Sequence, residues 1–120
     1  AIGEIIPSLK GKLEGAAIRV PTPNVSLVDL VFATKKDLDK YKINKAFETA
    51  SKKKLKKILE ISHEKLVSID FNHNPASAIV DTSLTCVIGS KMGKISAWYD
   101  NEWGFSNRMC DIAEYLHKIS

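Results

Sequence analysis

The chain has 120 residues, 44% of them apolar and 27% charged, which suits one soluble globular domain around a single core. No segment approaches the ~20 apolar residues of a membrane span, and Ala1-Ile2-Gly3-Glu4-Ile5-Ile6 lacks the basic run of a signal peptide. The formal charge of +4 is carried almost entirely by lysine, with Arg19 and Arg108 the only arginines. Nucleic-acid interfaces lean on arginine, so the surplus reads as a solvated surface, with no membrane and no specific nucleic acid among the expected partners.

The chain opens without an initiator Met and inside an apolar pattern, as a fragment beginning in mid-element would. Ala1 to Leu9 reads as the last turns of a helix closed by Pro7, and Lys10 to Gly15 as a turn. Ala16 to Val20 reads as a short strand halted by Pro21 and Pro23. Val25 to Thr34 reads as a long strand with apolar residues on both faces, the pattern of a strand covered on both sides. Asp37 to Lys57 is helical by its stripe of Ile43, Phe47 and Ala50, and the lysines at its end suit the negative C-terminus of a helix.

Ile58 to Ile61, Val67 to Phe71, Ser77 to Val80, Leu84 to Ile88 and Lys94 to Tyr99 read as five more short strands, separated by turn residues. Gly89 to Gly93 has the composition of a hairpin connection. A final helix starts near Ser106, with Met109, Ile112, Ala113, Leu116 and Ile119 on one face. The expected fold is α+β: a largely antiparallel or mixed sheet of about seven strands with one crossing helix and a C-terminal helix.

The sequence offers little overt chemistry. His63, His73 and His117 are far apart, no Gly-rich phosphate loop is present, and no Ser or Cys stands in a nucleophile setting. Cys86 and Cys110 lie on apolar patterns and read as buried small hydrophobes; two cysteines without a CxxC fit a cytoplasmic protein. Two segments are unusual. In Arg19-Val20-Pro21-Thr22-Pro23-Asn24-Val25-Ser26, a guanidinium stands beside a turn stiffened by two prolines. It is either an anion site, the planar fork matching a phosphate, or an ordinary turn with an exposed or salt-bridged arginine. In Trp98-Tyr99-Asp100-Asn101-Glu102-Trp103-Gly104-Phe105-Ser106, four aromatics surround three polar residues between a strand and a helix. Either Asn101 is presented in a partly apolar pocket, or the segment is an aromatic core plug with helix-capping residues.

Together the two segments, with Val28-Asp29-Leu30, Val67-Ser68-Ile69-Asp70-Phe71-Asn72 and Ser106-Asn107-Arg108, resemble phosphorylating glyceraldehyde-3-phosphate dehydrogenases in order and spacing over essentially all 120 residues. The resemblance implies a C-terminal fragment: residues 1–100 the C-terminal part of the catalytic domain, and 101–120 a helix that would pack back on a Rossmann domain lying before Ala1. It implies oxidation of glyceraldehyde 3-phosphate with NAD and inorganic phosphate in a cytoplasmic homotetramer. A Cys thiolate attacks the aldehyde, a His assists, and the hemithioacetal passes hydride to the nicotinamide. Arg19 matches the arginine that binds the substrate phosphate, and Asn101 the asparagine that holds the nicotinamide carboxamide.

The nucleophilic Cys, the catalytic His and the residues that choose between NAD and NADP would also precede Ala1, so the fragment alone is expected to be inactive. Phe105 stands where the family commonly has Tyr. The alternative to this dehydrogenase reading is a small basic module for RNA or another polyanion, resting on the +4 charge and the lysine run from Lys52 to Lys57.

Overall fold

A computed structural model describes residues 2–120. A short helix, α1 (Ile2–Ile5), and a 3-10 turn at Pro7–Leu9 begin it, and the chain then runs without helix or strand to the first strand, β1 (Ser26–Ala33). Helix α2 (Lys40–Lys52) follows, then β2 (Leu59–Ser62), a 3-10 turn at Ser68–Phe71, β3 (Ala78–Asp81), β4 (Cys86–Ile88), β5 (Met92–Tyr99) and α3 (Trp103–Ile119).

The five strands form one mixed sheet in the order β1-β5-β3-β2, with β4 also on β5. β5 is its axis. One edge pairs antiparallel with the whole of β1, from Ser26 opposite Tyr99 to Ala33 opposite Met92. The other edge is shared by β3, which meets Ala97 and Trp98, and β4, which meets Met92 to Lys94. β2 and β3 are parallel, and α2 stands in the connection from β1 to β2 and packs on β2. Asp39 starts α2 by accepting the Lys42 N–H at 2.8 Å, an ordinary N-cap. The hairpin read at Gly89 to Gly93 joins β4 to β5, and Gly89 takes the left-handed φ of 58° that its turn needs.

The α+β class and the mixed sheet are as read from the sequence, but the sheet has five strands rather than seven. Val67 to Phe71 alternates like a strand, yet Ser68–Phe71 is a 3-10 turn. The Asp70 carboxylate accepts the Val67 N–H at 2.9 Å, and this local bond closes the turn instead of leaving the amide for a ladder. Ala16 to Val20 is also no strand; its residues are exposed and no strand lies alongside. A strand is stabilised by cross-strand neighbours, and here it has none. β1 was expected to be covered on both faces. Instead it forms an edge of the sheet, with Leu27, Val28, Leu30 and Val31 all more than a third exposed.

The core is small and lies under the β3–β5 junction. Val25, Phe71, Ala76 and Ile79 are buried together, with Leu66 and Trp98 packed against them. Phe71 and Trp98 stack with ring centroids 5.5 Å apart. Full burial of a ring such as that of Phe71 is worth roughly 1.5–3 kcal/mol. α3 meets this body only near its start: Gly104 is its one buried residue, and Arg108 donates to the Lys57 carbonyl at 3.0 Å. Its predicted apolar face was legible, but Met109, Ile112, Leu116 and Ile119 are all more than half exposed. Cys110, on the same helix, is exposed and Cys86 half-buried, so neither is the fully buried residue that its pattern suggested.

Candidate functional site

The carboxylate of Asp100 is the centre of the site. It sits where β5 ends, is 1% exposed, and gathers four donors. Oδ1 accepts the backbone N–H of Trp103 at 2.8 Å and of Glu102 at 3.1 Å, which ties off the first turn of α3. Oδ2 accepts the backbone N–H of His73 at 2.9 Å and the Asn24 side-chain amide at 2.9 Å. Burial alone would raise the Asp100 pKa, but the bonds from Trp103, His73, Glu102 and Asn24 outweigh it and hold the carboxyl below its ordinary value. The group is therefore a fixed anion at neutral pH.

Asn24 extends the network. The same amide nitrogen that reaches Asp100 also donates to Asn72 Oδ1 at 2.8 Å, using both of its hydrogens. Three stretches remote in sequence, at Asn24, at Asn72 and His73, and from Asp100 to Trp103, therefore meet at one point. The His73 ring lies over Trp103, centroids 4.7 Å apart. Just beyond, Gly104 presses its backbone against Ala76: a β-carbon added there would stand 2.8 Å from the Ala76 carbonyl oxygen. Glycine at this position lets α3 start directly against the core.

Of the two residues singled out by sequence, Asn101 adjoins this hub and Arg19 lies five residues before Asn24 in the chain. Asn101 follows Asp100 in the chain and is exposed; because Asp100 takes the capping bonds, the Asn101 amide has no side-chain partner among the described residues. Trp98 and Trp103 do not enclose it as a common pocket. Trp98 turns into the core against Phe71, while Trp103 is 45% exposed and meets His73. Arg19 is exposed in the irregular stretch before β1 and has no carboxylate partner among the described residues. Between Arg19 and Asn24 the chain is stiff, with Pro21, Pro23 and a Thr22 N–H bonded to the Val20 carbonyl at 2.9 Å. Arg19 and Asn101 share no hydrogen bond among the described residues. Their segments are brought together through Asn24 and Asp100.

Neither Asn24 nor Asp100 was selected by the sequence reading. Asp100 carried a signal, since an aspartate two or three residues ahead of a helix commonly takes its first N–H groups. Asn24 carried none, because its partners lie 48 and 76 residues away. No cluster of three or more His, Cys, Asp or Glu side chains able to hold a metal occurs among the described residues.

The pattern that carries these features matches a known one. The model of the glyceraldehyde 3-phosphate dehydrogenase C-terminal domain covers residues 1–101. The chain belongs to the glyceraldehyde-3-phosphate dehydrogenase family. It is 52% identical over 116 residues to glyceraldehyde-3-phosphate dehydrogenase 2 of Staphylococcus aureus strain Mu50, covering 97% of this chain and 33% of that protein. The corresponding protein of Trichormus variabilis is also 52% identical, with 97% of this chain and 34% of that protein covered. A chloroplastic glyceraldehyde-3-phosphate dehydrogenase of Arabidopsis thaliana is 50% identical over 116 residues, 97% of this chain and 29% of its own. The chain thus spans about a third of the length of these curated relatives. By the names of its members the family is one of oxidoreductases, and one of these relatives is chloroplastic. No helix among the described residues is long and apolar enough to cross a membrane.

Proposed function

We propose that these 120 residues are the C-terminal part of a phosphorylating, NAD-dependent glyceraldehyde-3-phosphate dehydrogenase that converts glyceraldehyde 3-phosphate and inorganic phosphate to 1,3-bisphosphoglycerate in glycolysis. In this reading Arg19 binds the substrate phosphate and Asn101 the nicotinamide carboxamide. The parent is a cytoplasmic homotetramer. Residues 1–100 complete its catalytic domain, and α3 packs back on a cofactor domain. The nucleophile, the base and the residues that select NAD over NADP lie elsewhere in that longer protein, so the isolated segment has no turnover.

One observation carries the assignment of Asn101: its neighbour Asp100 satisfies the first turn of α3, leaving the Asn101 amide exposed with a donor and an acceptor to offer. That pair is complementary to a carboxamide, so the residue fits the cofactor that the family implies. When bound, the nicotinamide supplies the hydride acceptor. The role of this chain is to orient: Asn101 fixes the turn of the ring, and the fork of Arg19 engages two phosphate oxygens. The bare apolar faces of β1 and α3 suit elements that pack against further protein. The lysine run that motivated the polyanion alternative lies on exposed residues at the last position of α2 and just beyond it, and the family match favours the dehydrogenase.

The test is Arg19→Ala in the full-length protein, or in the staphylococcal relative carrying this segment in place of its own. A charged hydrogen bond to phosphate is worth roughly 1.5–3 kcal/mol, so kcat/KM for glyceraldehyde 3-phosphate should fall about tenfold or more. Unphosphorylated glyceraldehyde should lose far less. Equal losses on both aldehydes would reject the phosphate role.

A further inference from the structure

We propose that Asn24 is a positioning residue: its bond to Asp100 pins the stiff segment bearing Arg19 to the junction bearing Asn101, and so fixes where the phosphate end of the substrate site stands relative to the nicotinamide end. The proposal rests on the roles given above to Arg19 and Asn101.

The geometry has three parts. First, the pin uses all of the donor capacity of the Asn24 amide, on Asn72 at 2.8 Å and Asp100 at 2.9 Å. Asp100 would remain bonded without it, since the N–H groups of His73, Glu102 and Trp103 already converge on the carboxylate. The Asn24 bond is the one that reaches the Arg19 segment, so it adds position where satisfaction of Asp100 is already provided.

Second, the backbone on both sides of the pin is strained. Val25 has φ of 72° and His73 φ of 61°, both in the left-handed region. For a β-branched residue such as Val25 that conformation is a genuine outlier. It persists only where the surroundings over-determine it, and strain of this kind collects at functional sites. Here the Val25 side chain is locked in the core at 6% exposure while the amide of its neighbour is held by Asp100. The chain therefore leaves the core in one direction only.

Third, the arm from Asn24 back to Arg19 is short. Five residues span at most about 17 Å, and Pro21, Pro23 and the Thr22–Val20 bond remove most of its freedom. On the other side of the pin, Asn101 is covalently next to Asp100 and is followed by two N–H groups that Asp100 holds. A shift at Asn24 is thus passed to Arg19 with little loss, while Asn101 stays in place.

The experiment uses the full-length enzyme with Asn24→Ala, Arg19→Ala and the double variant. The measurements are kcat/KM on glyceraldehyde 3-phosphate and on unphosphorylated glyceraldehyde, binding of inorganic phosphate by calorimetry, and the melting temperature. We expect Asn24→Ala to lower kcat/KM about tenfold on the phosphorylated aldehyde and no more than about twofold on the other, and to weaken phosphate binding. Added to Arg19→Ala it should cost almost nothing further, because the arm it positions is already empty of its charge. Asn24→Asp, equal in shape but facing a second carboxylate, should be worse than Asn24→Ala.

Equal losses on both aldehydes that follow a lowered melting temperature would overturn the proposal in favour of a purely structural bond. Additive losses in the double variant would overturn it too. If Arg19→Ala discriminates between the aldehydes and Asn24→Ala does not, the pin fails while the role of Arg19 stands. If Arg19→Ala does not discriminate, the role of Arg19 fails and the pin falls with it.

Discussion

The Asp100 carboxylate and the backbone N–H of Trp103 meet at 2.8 Å, and a second N–H, from Glu102, reaches the same oxygen at 3.1 Å. This makes Asp100, and not Asn101, the residue that satisfies the start of α3. The other carboxylate oxygen faces the opposite way, toward His73 and Asn24. One buried side chain therefore sets the direction of the C-terminal helix, the exposure of Asn101 and the end of the Arg19 segment together.

Asp100→Asn should cost stability in a pH-dependent way. The amide side chain keeps one acceptor but turns an NH2 group toward donors, so at least one charged hydrogen bond is lost, about 1.5–3 kcal/mol at neutral pH. The folded pKa of Asp100 is depressed by its four donors. Its contribution is therefore fully present above the ordinary aspartate value of about 3.9 and is lost as pH falls through the lower folded value. Urea midpoints of the wild type and Asp100→Asn should differ by a constant amount from pH 7 down to about 5, and converge below about 4. A gap that does not narrow in acid would mean that Asp100 acts through shape and not charge.

Gly104→Ala should displace the start of α3. The new β-carbon would stand 2.8 Å from the Ala76 carbonyl oxygen, and Ala76 is fully buried in the core. Backbone cannot swing aside as a flexible side chain can, so either the helix or the Ala76 segment must move, at a cost of about 1–3 kcal/mol. Alanine is otherwise the better helix former by roughly 0.8–1 kcal/mol. A melting temperature unchanged or raised in Gly104→Ala would show that propensity wins and that the close approach is not constraining.

Elements defined by a local pattern were legible. The alternation of Lys94 to Tyr99 marks β5, and the spacing of Ile43 and Phe47 marks α2. The failures share a cause. Whether Ala16 to Val20 pairs depends on a neighbour that local sequence does not name, and Val67 to Phe71 was decided by one side chain, Asp70, competing for a backbone N–H. Boundaries drifted for similar reasons: α3 begins at Trp103, three residues before Ser106, because Asp100 supplies its first bonds. At the site, residue type singled out Arg19 and Asn101, but the bond that ties their segments together was not legible. It runs through Asn24, whose partners become neighbours only when the sheet and the core assemble.

The 120-residue chain by itself should produce no NADH from glyceraldehyde 3-phosphate, NAD and inorganic phosphate. Cys86 lies half-buried on β4, which pairs only with β5, and Cys110 stands on the exposed run of α3 beyond Arg108. Neither has a histidine within hydrogen-bonding distance among the described residues to activate it as a nucleophile. Turnover by the pure chain that is abolished by Cys86→Ser or Cys110→Ser would overturn this and place the nucleophile within the segment.

Asn101→Ala in the full-length enzyme separates orientation from stability. The side chain is exposed and takes no part in starting α3, since Asp100 holds the Glu102 and Trp103 N–H groups. Removing a true N-cap costs about 0.5–2 kcal/mol, whereas Asn101→Ala should leave the melting temperature close to that of the wild type. Loss of the amide should instead let the nicotinamide ring sample unproductive orientations. Hydride transfer needs the reacting atoms held near ~3–3.5 Å, so the single-turnover rate should fall by about tenfold or more while cofactor affinity changes little. Affinity changes little on the proposed reading, in which a cofactor domain of the longer protein makes most of the contacts to the dinucleotide. A rate equal to the wild type, combined with a lowered melting temperature, would assign Asn101 to the fold of the junction and remove it from the site.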